Sequence, residues 1–355
     1  MTMKPSRRPN GYKHPSRIGQ IAVRLSGCVS KALAVLALAT CAFAGGSAID
    51  AASADEVFVT SEKDNTVAVI DTETLTAARK FKVGKRPRGI LAAHDGSVIY
   101  VCASDSNSIQ IVNPATGDRI GEISDVDDPE QLALSPDGRL LYVSNEEANA
   151  VSIIDLEKRV VVKTIAVGVE PEGISVSPDG RLVVVTSETT NMVHLIDAES
   201  QSIADNILVA ARPRYAAFTP DGKKLWVSSE IGGIISVVDI ATRKVERTIS
   251  FAINGVLPDK IQPVGIVFSV DGTRAFVALG PANRIAAVDV ATGEVAKYIL
   301  VGGRVWHMAL TKDGSKLISA NGGTNDATII ATDTLAAVKS LKVGQQPWGV
   351  AVIAK

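Results

Sequence analysis

The chain has 355 residues, 46% hydrophobic and 21% charged, with 29 Gly, 15 Pro, 4% aromatics, three Cys and a formal net charge of −1. This composition excludes collagen-like, low-complexity and intrinsically disordered chains, and the length exceeds what one small core uses unless the architecture repeats. The near-zero charge hides two unlike parts. Residues 1–54 carry seven basic groups and one acid, which leaves 30 basic and 37 acidic side chains in residues 55–355. A balance near −7 disfavours nucleic acid as a partner.

Residues 1–54 read as an export signal. Basic residues up to Lys31 precede an apolar run, Ala32 to Ala44, that is too short to give a stable membrane span, and small residues follow. Cleavage is expected near 54/55, after Ala52-Ser53-Ala54, with Ala42-Phe43-Ala44 as the alternative near 44/45. The destination is then the periplasm. Cys41 lies in a weak lipidation context, with Thr40 where a smaller residue is usual. Cleavage would leave Cys102 as the only thiol, expected to be buried and inert in its apolar strand.

From residue 55 onward a single unit recurs. Pro87, Pro129, Pro171 and Pro213 are 42 residues apart, Pro263 comes 50 later, and Val305 and Pro347 resume the step of 42. Each of the first six is followed, eight residues on, by Asp-Gly. The one irregularity is an eight-residue insertion within 251–262, expected near the rim as a lid, a docking loop or an inert insertion. Within a unit, short apolar segments such as Gly173–Val176, Leu140–Val143, Val151–Asp155 and Val161–Ile165 are cut by turn signals such as Ser177-Pro178-Asp179-Gly180. Four short strands per ~42 residues is the arithmetic of a β-propeller blade. The C-terminus supplies only a first strand, and Glu56-Val57-Phe58-Val59 begins at a second, so the two ends are expected to complete one blade. Seven steps of 42 plus the insertion account for the 302 residues from Ala54 to Lys355. The expected fold is therefore all-β: one seven-bladed propeller over 55–355 with four-stranded blades.

Several recurring residues serve this scaffold. Phe58, Tyr100, Tyr142, Val184, Trp226, Phe276 and Ile318 share a second-strand position expected to pack between blades. Asp71, Asp155, Asp197, Asp239 and Asp289 follow the third strand, where a carboxylate accepts turn N–H groups. Asn65, Asn107, Asn149, Asn191, Asn283 and Asn325 mark a tight loop, for which tolerance of the left-handed backbone is the expected reason.

The elements Tyr142-Val143-Ser144-Asn145, Ser177-Pro178-Asp179-Gly180 and Ile154-Asp155 resemble the YVTN class of bacterial propeller repeats. With the leader and the 42-residue step, the chain looks most similar to PQQ-dependent catabolism-associated β-propeller proteins. That resemblance implies a non-enzymatic periplasmic accessory role in quinoprotein-linked alcohol catabolism. It implies partners such as a quinoprotein dehydrogenase, a cytochrome or a transporter component, and no catalytic motif. A lactonase-like hydrolase and a plain interaction scaffold are the alternatives.

Residues flanking the recurring Pro are not repeated, and variation on a fixed scaffold is where function is placed. They read Arg86/Arg88, Asp128/Glu130, Glu170/Glu172, Arg212/Arg214, Gln262/Val264, Arg304/Trp306 and Gln346/Trp348. Two acidic blades thus lie between two double-arginine blades, facing a sector with Arg304, Trp306, His307 and Trp348. Two readings stay open. Arg88 and Arg214 neutralise the carboxylates in a solvated ion-pair ring, or they grip an anionic or aromatic ligand, PQQ or another small anion, stacked on Trp306 or Trp348. On the second reading, Arg88→Ala with Arg214→Ala is expected to weaken a small-anion ligand by more than about tenfold without lowering thermal stability. No metal site is expected, because no D-x-D-x-D-G loop is present and arginines adjoin the carboxylates. His94, His194 and His307, alone in the mature chain, assemble neither a three-histidine metal set nor a nucleophile with its base.

Overall fold

A computed structural model describes residues 55–354. The leader, with Cys28, Cys41 and both cleavage sites, lies outside the described residues. Seven antiparallel sheets of four strands each follow one another along the chain. In the sheet shared by the two ends, Pro347–Ile353 pairs with Glu56–Ser61, followed by Thr66–Asp71 and Thr76–Lys82. We number this blade 1 and the next six 2 to 7. The first strands of blades 2 to 7 are Pro87–Ala92, Pro129–Leu134, Pro171–Val176, Pro213–Phe218, Ile266–Phe268 and Val305–Leu310. Each touches its neighbour, and the first strand of blade 7 returns to that of blade 1, so the ring closes and the inner edge strands are short and protected around the axis. The seven-bladed propeller read from the repeat is the fold. Among the described residues no helix is long and apolar enough to cross a membrane.

Seven apolar clusters fill the seven interfaces between blades. The second-strand residue of one blade enters the core of the next: Phe58 packs with Ile90 and Ile99, Tyr142 with Ile174 and Val183, and Trp226 with Ile266 and Val277. Aromatic size is thus spent on wedging blades apart at the ring's circumference. Cys102 is buried among Tyr100, Leu132 and Leu141, and burial pushes its thiol well up, as an inert core residue requires. The Asp-Gly turns use both partners: Gly138 sits at φ 70°, where glycine alone is unstrained, and Asp137 accepts from the Arg139 N–H at 3.1 Å.

The recurring asparagines do more than tolerate the left-handed backbone. All six adopt it, with φ between 47° and 62°. Each also accepts, through Oδ1, the backbone N–H of the residue that opens the next blade: Asn65 from Arg86, Asn107 from Asp128, Asn149 from Glu170, Asn191 from Arg212, Asn283 from Arg304 and Asn325 from Gln346, at 2.9 to 3.1 Å. Those six opening residues are themselves held at positive φ, so the clamp fixes the variable side chains of the mouth in a strained backbone. At the seventh position stands Gly233, which has no side chain to clamp with, and the opening of the next blade is the one preceded by the eight-residue insertion within 251–262. The insertion is packed down: Phe251, Ile253 and Val256 lie against the blade 5–6 core, Ile261 is buried, and the Ala252 N–H donates to the Tyr298 hydroxyl at 3.0 Å.

Asn149→Ala is expected to cost roughly 1.5–3 kcal/mol, the left-handed penalty plus one hydrogen bond. Asn149→Gly should recover only the conformational part. Chemical denaturation of the three proteins checks this, and full rescue by glycine would reduce the asparagine to its backbone conformation alone.

Candidate functional site at the channel mouth

In blades 2, 3 and 4 the first-strand ladder shifts register between its Pro and the third residue after it, as between Pro129 and Leu132, so strict alternation of faces breaks there. The two residues after each Pro build successive layers at the ring centre. In the inner layer the sequence around the ring is Gly349, Gly89, Gln131, Gly173, Tyr215, Gly265 and His307. A Cβ on Gly89, Gly173 or Gly265 would lie 2.6 to 2.7 Å from the backbone carbonyl of the next blade, so these positions exclude any side chain. The space goes to the three large residues. The Gln131 amide lies 3.3 Å from His307 Nε2, although the two come from blades 3 and 7, and the Tyr215 and His307 rings meet edge to face at 5.4 Å. Only the axis brings such distant blades together, and these side chains close it. The alternation of Gly with Gln, Tyr and His was present in the repeat register and is a signal the sequence reading passed over.

Above this plug runs a chain of ion pairs. Arg86 contacts Asp105, Asp128 and Glu130; Arg88 contacts Glu62 at 3.2 Å, Glu130 at 2.8 Å and Glu172 at 3.6 Å. Arg214 contacts Glu172 at 2.9 Å, Glu188, and Glu230 at 3.9 Å. Arg212 reaches Glu188 at 2.7 Å and Glu230 at 3.2 Å, and Arg304 reaches Glu230 at 2.8 Å. The mouth residues Arg86, Arg88, Asp128, Glu130, Glu172, Arg212, Arg214 and Arg304 are therefore brought into one network, whereas Glu170 bonds instead to the Thr189 hydroxyl. Glu62, Glu146, Glu188 and Glu230 were not singled out from sequence, although they recur in register just after the second strand, as in Ser61-Glu62 and Ser187-Glu188.

This geometry corrects four expectations. The ion-pair ring is not solvated: Glu130, Glu172, Glu188 and Glu230 are 0 to 5% exposed and Arg214 is 6% exposed. Arg88 and Arg214 each pair with three carboxylates, so removing them leaves buried charge behind, and the double alanine variant is expected to be destabilised as well. Trp348 is 1% exposed beneath Arg88, whose guanidinium lies 5.4 Å from its ring, and offers no open face for stacking. His307, expected at the mouth, belongs to the plug, 4.3 Å from the Trp348 ring; burial first, then Arg214 and Arg88, hold it down to about 3, so it is neutral at physiological pH. Asp128, Glu130 and Glu146 bring carboxylate oxygens within 4.8 Å of one another, but Arg86 pairs with the first two and already supplies the positive charge.

The mouth is dipolar. Between blades 2 and 4 opens a cleft of about 590 Å³ lined by Asp105, Asp128, Glu146, Glu147 and Glu170 with a single cation, Arg86. Between blades 7, 1 and 2 lies a smaller pocket of about 210 Å³ lined by Glu62, Arg88, Arg304, Trp306, Gly322, Gly323 and Gln346.

Burial raises Glu62, Glu130 and Glu146 and pushes Glu188 up to about 7. A carboxyl whose folded value exceeds its unfolded ~4.3 holds more protons when folded, so its stabilisation is lost as pH rises through the folded value. The turn aspartates act in the opposite direction: hydrogen bonds from Thr311 and Ser315 hold Asp313 down to about 2, and that contribution is lost in acid. The unfolding temperature is therefore expected to peak at about pH 4–5 and to fall toward pH 8. Calorimetry across that range checks it, and a rise from pH 5 to 8 would contradict the raised glutamates.

Three family models match parts of the chain: the YNCE-like β-propeller over residues 19–142, the cytochrome D1 heme domain over 93–216 and the choice-of-anchor I domain over 159–316. Together they support a β-propeller family. No curated protein matches the chain. Among solved structures it is similar to hydrazine synthase of Kuenenia stuttgartiensis, with 23% identity, a TM-score of 0.66 and coverage of 76% of this chain and 95% of that one. A functionally unknown protein of Desulfotomaculum acetoxidans aligns at 16% identity and a TM-score of 0.72, covering 84% and 99%. The dihydro-heme d1 dehydrogenase NirN, in complex with DHE, aligns at 16% and 0.64, covering 83% and 74%. At these identities the likeness is one of fold.

The heme-domain match calls for a test of fit. Axial ligation needs a free imidazole, thiolate, thioether or phenolate at the mouth. His94 bonds to the Ser135 carbonyl, His194 accepts from Gly168 N–H and bonds to Asn206, and His307 is buried against Gln131. Among the described residues these histidines do not fit an axial role.

Proposed function

We propose that the protein is an exported accessory propeller in a quinoprotein-linked catabolic pathway, which binds a small ligand or a protein partner at its channel mouth. The observation that carries this is a contrast within one repeat. Turn and clamp positions recur from blade to blade, whereas the positions beside each first-strand opening differ; of the six that the asparagines clamp, Arg86, Asp128, Arg212 and Arg304 join Arg88, Glu130, Glu172 and Arg214 in one network. A repeat that only needed to close would not require this; a recognition surface does. The export leader and the PQQ-associated resemblance supply the setting.

Native mass spectrometry of periplasmically expressed protein, with and without pyrroloquinoline quinone, tests it. A ligand-sized mass shift, or a co-purifying dehydrogenase or cytochrome, is expected. Turnover of lactones by protein that retains neither would replace the binding role with the hydrolase. A Soret band in the same preparation would replace the quinone setting with a tetrapyrrole one.

A further inference from the structure

We propose that the pocket bounded by Arg304, Trp306 and Gln346 is a subsite for a small organic carboxylate; this rests on the mouth being the binding site. Three observations converge on it. The first is the shortage of counter-charge. Arg304 has a single carboxylate partner, Glu230, which also serves Arg212 and Arg214, and its other partner is the neutral Gln262. Burial and the neighbouring Arg214 hold this guanidinium below its ordinary range, whereas Arg88 and Arg214, each facing several carboxylates, are raised.

The second is the donor set. Arg304 lies 4.3 Å from the Trp306 ring, and among the described residues no acceptor meets the Trp306 indole N–H or the Gln346 side-chain amide. A guanidinium, an indole N–H and an amide N–H face the space with one acid, Glu62, which Arg88 already pairs. That set matches a carboxylate.

The third is the opening itself. In four of the other blades the loop after the second strand carries Glu62, Glu146, Glu188 or Glu230; here, Gly322 stands at that position and is followed by Gly323. A Cβ at Gly322 would lie 2.6 Å from Trp306 Nε1, so the glycine creates the room in which that N–H is presented. The volume of about 210 Å³ falls below the ~300 Å³ at which ordinary ligand pockets begin, so a small acid, or one end of a larger one, fits.

Tryptophan emission provides the test, because Trp226 and Trp348 are 1% exposed and Trp306 is the one bordering the pocket. Acetate and benzoate, titrated against phosphate and chloride at constant ionic strength, should change the emission saturably, and Trp306→Phe should abolish the change. Calorimetric affinity should fall roughly ten- to a hundredfold in Arg304→Gln, with the unfolding temperature nearly kept because Glu230 retains two arginines. Gly322→Ala should also block binding. Saturable carboxylate binding that survives Arg304→Gln, or phosphate competing as well as benzoate, overturns the subsite. Binding of quinone or partner in the preceding experiment, unaltered by Arg304→Gln, would do the same while leaving the mouth as the binding site.

Discussion

Deleting residues 347–355 is expected to have the largest effect of any change considered, lowering stability by well over 5 kcal/mol. The segment Pro347–Ile353 is the innermost, first strand of blade 1, paired antiparallel with Glu56–Ser61, and it carries buried Trp348 and Ala351. Losing a buried tryptophan alone costs about 3–5 kcal/mol, and each ladder hydrogen bond adds roughly 1. At about 2 °C per kcal/mol for a domain of this size, the unfolding temperature should drop by more than about 10 °C. The deletion also opens the ring, because the first strand of blade 1 touches those of blades 2 and 7. Glu56–Ser61 then becomes an exposed, apolar edge that invites association with other chains. A synthetic peptide of the deleted segment, supplied in trans during refolding, should restore a monodisperse monomer. A truncated protein that unfolds at the parental temperature would refute closure through the C-terminal strand.

Arg214→Leu is expected to cost about 3–5 kcal/mol, because it strands Glu172, Glu188 and Glu230 in a buried site without their shared cation. The expected fall in unfolding temperature is roughly 6–10 °C. A pair of changes isolates the cause. Arg214→Leu with Glu188→Gln should recover part of the loss, and lowering the pH toward 5 should recover more, since the stranded carboxyls then bind protons. If Arg214→Leu unfolds within 2 °C of the parent, about 1 kcal/mol, the network contributes nothing to stability.

The limits of the sequence reading lie in particular residues. Arg88 and Arg214 were visible as unrepeated charges on a repeated frame, and their location at the mouth follows from the frame. Whether their donors were free was not visible, because the partners arrive from other blades: Glu172 is 84 residues from Arg88, and Glu230 is 74 from Arg304. Trp348 and Trp306 occupy equivalent positions in neighbouring blades, yet one is buried and the other borders an open pocket. The difference comes from Gly322 and Gly323, residues that look like turn punctuation in the sequence. Conversely, the Gly–Gln–Gly–Tyr–Gly–His alternation and the recurring Glu of the second loop were legible. Neither carries a charge contrast between blades as strong as that of the residues beside each proline, and their meeting at the axis or in the network depends on side chains from separate blades.

By itself the sequence determined the blade count, the closure by the two ends and the inter-blade wedges, because each is encoded within one 42-residue step by local turn chemistry and a period-two apolar pattern. The tertiary structure decided which charges at the mouth are satisfied and which are available. Electrostatic compensation depends on distances of 3 to 4 Å between side chains from different blades, and only ring closure fixes those distances.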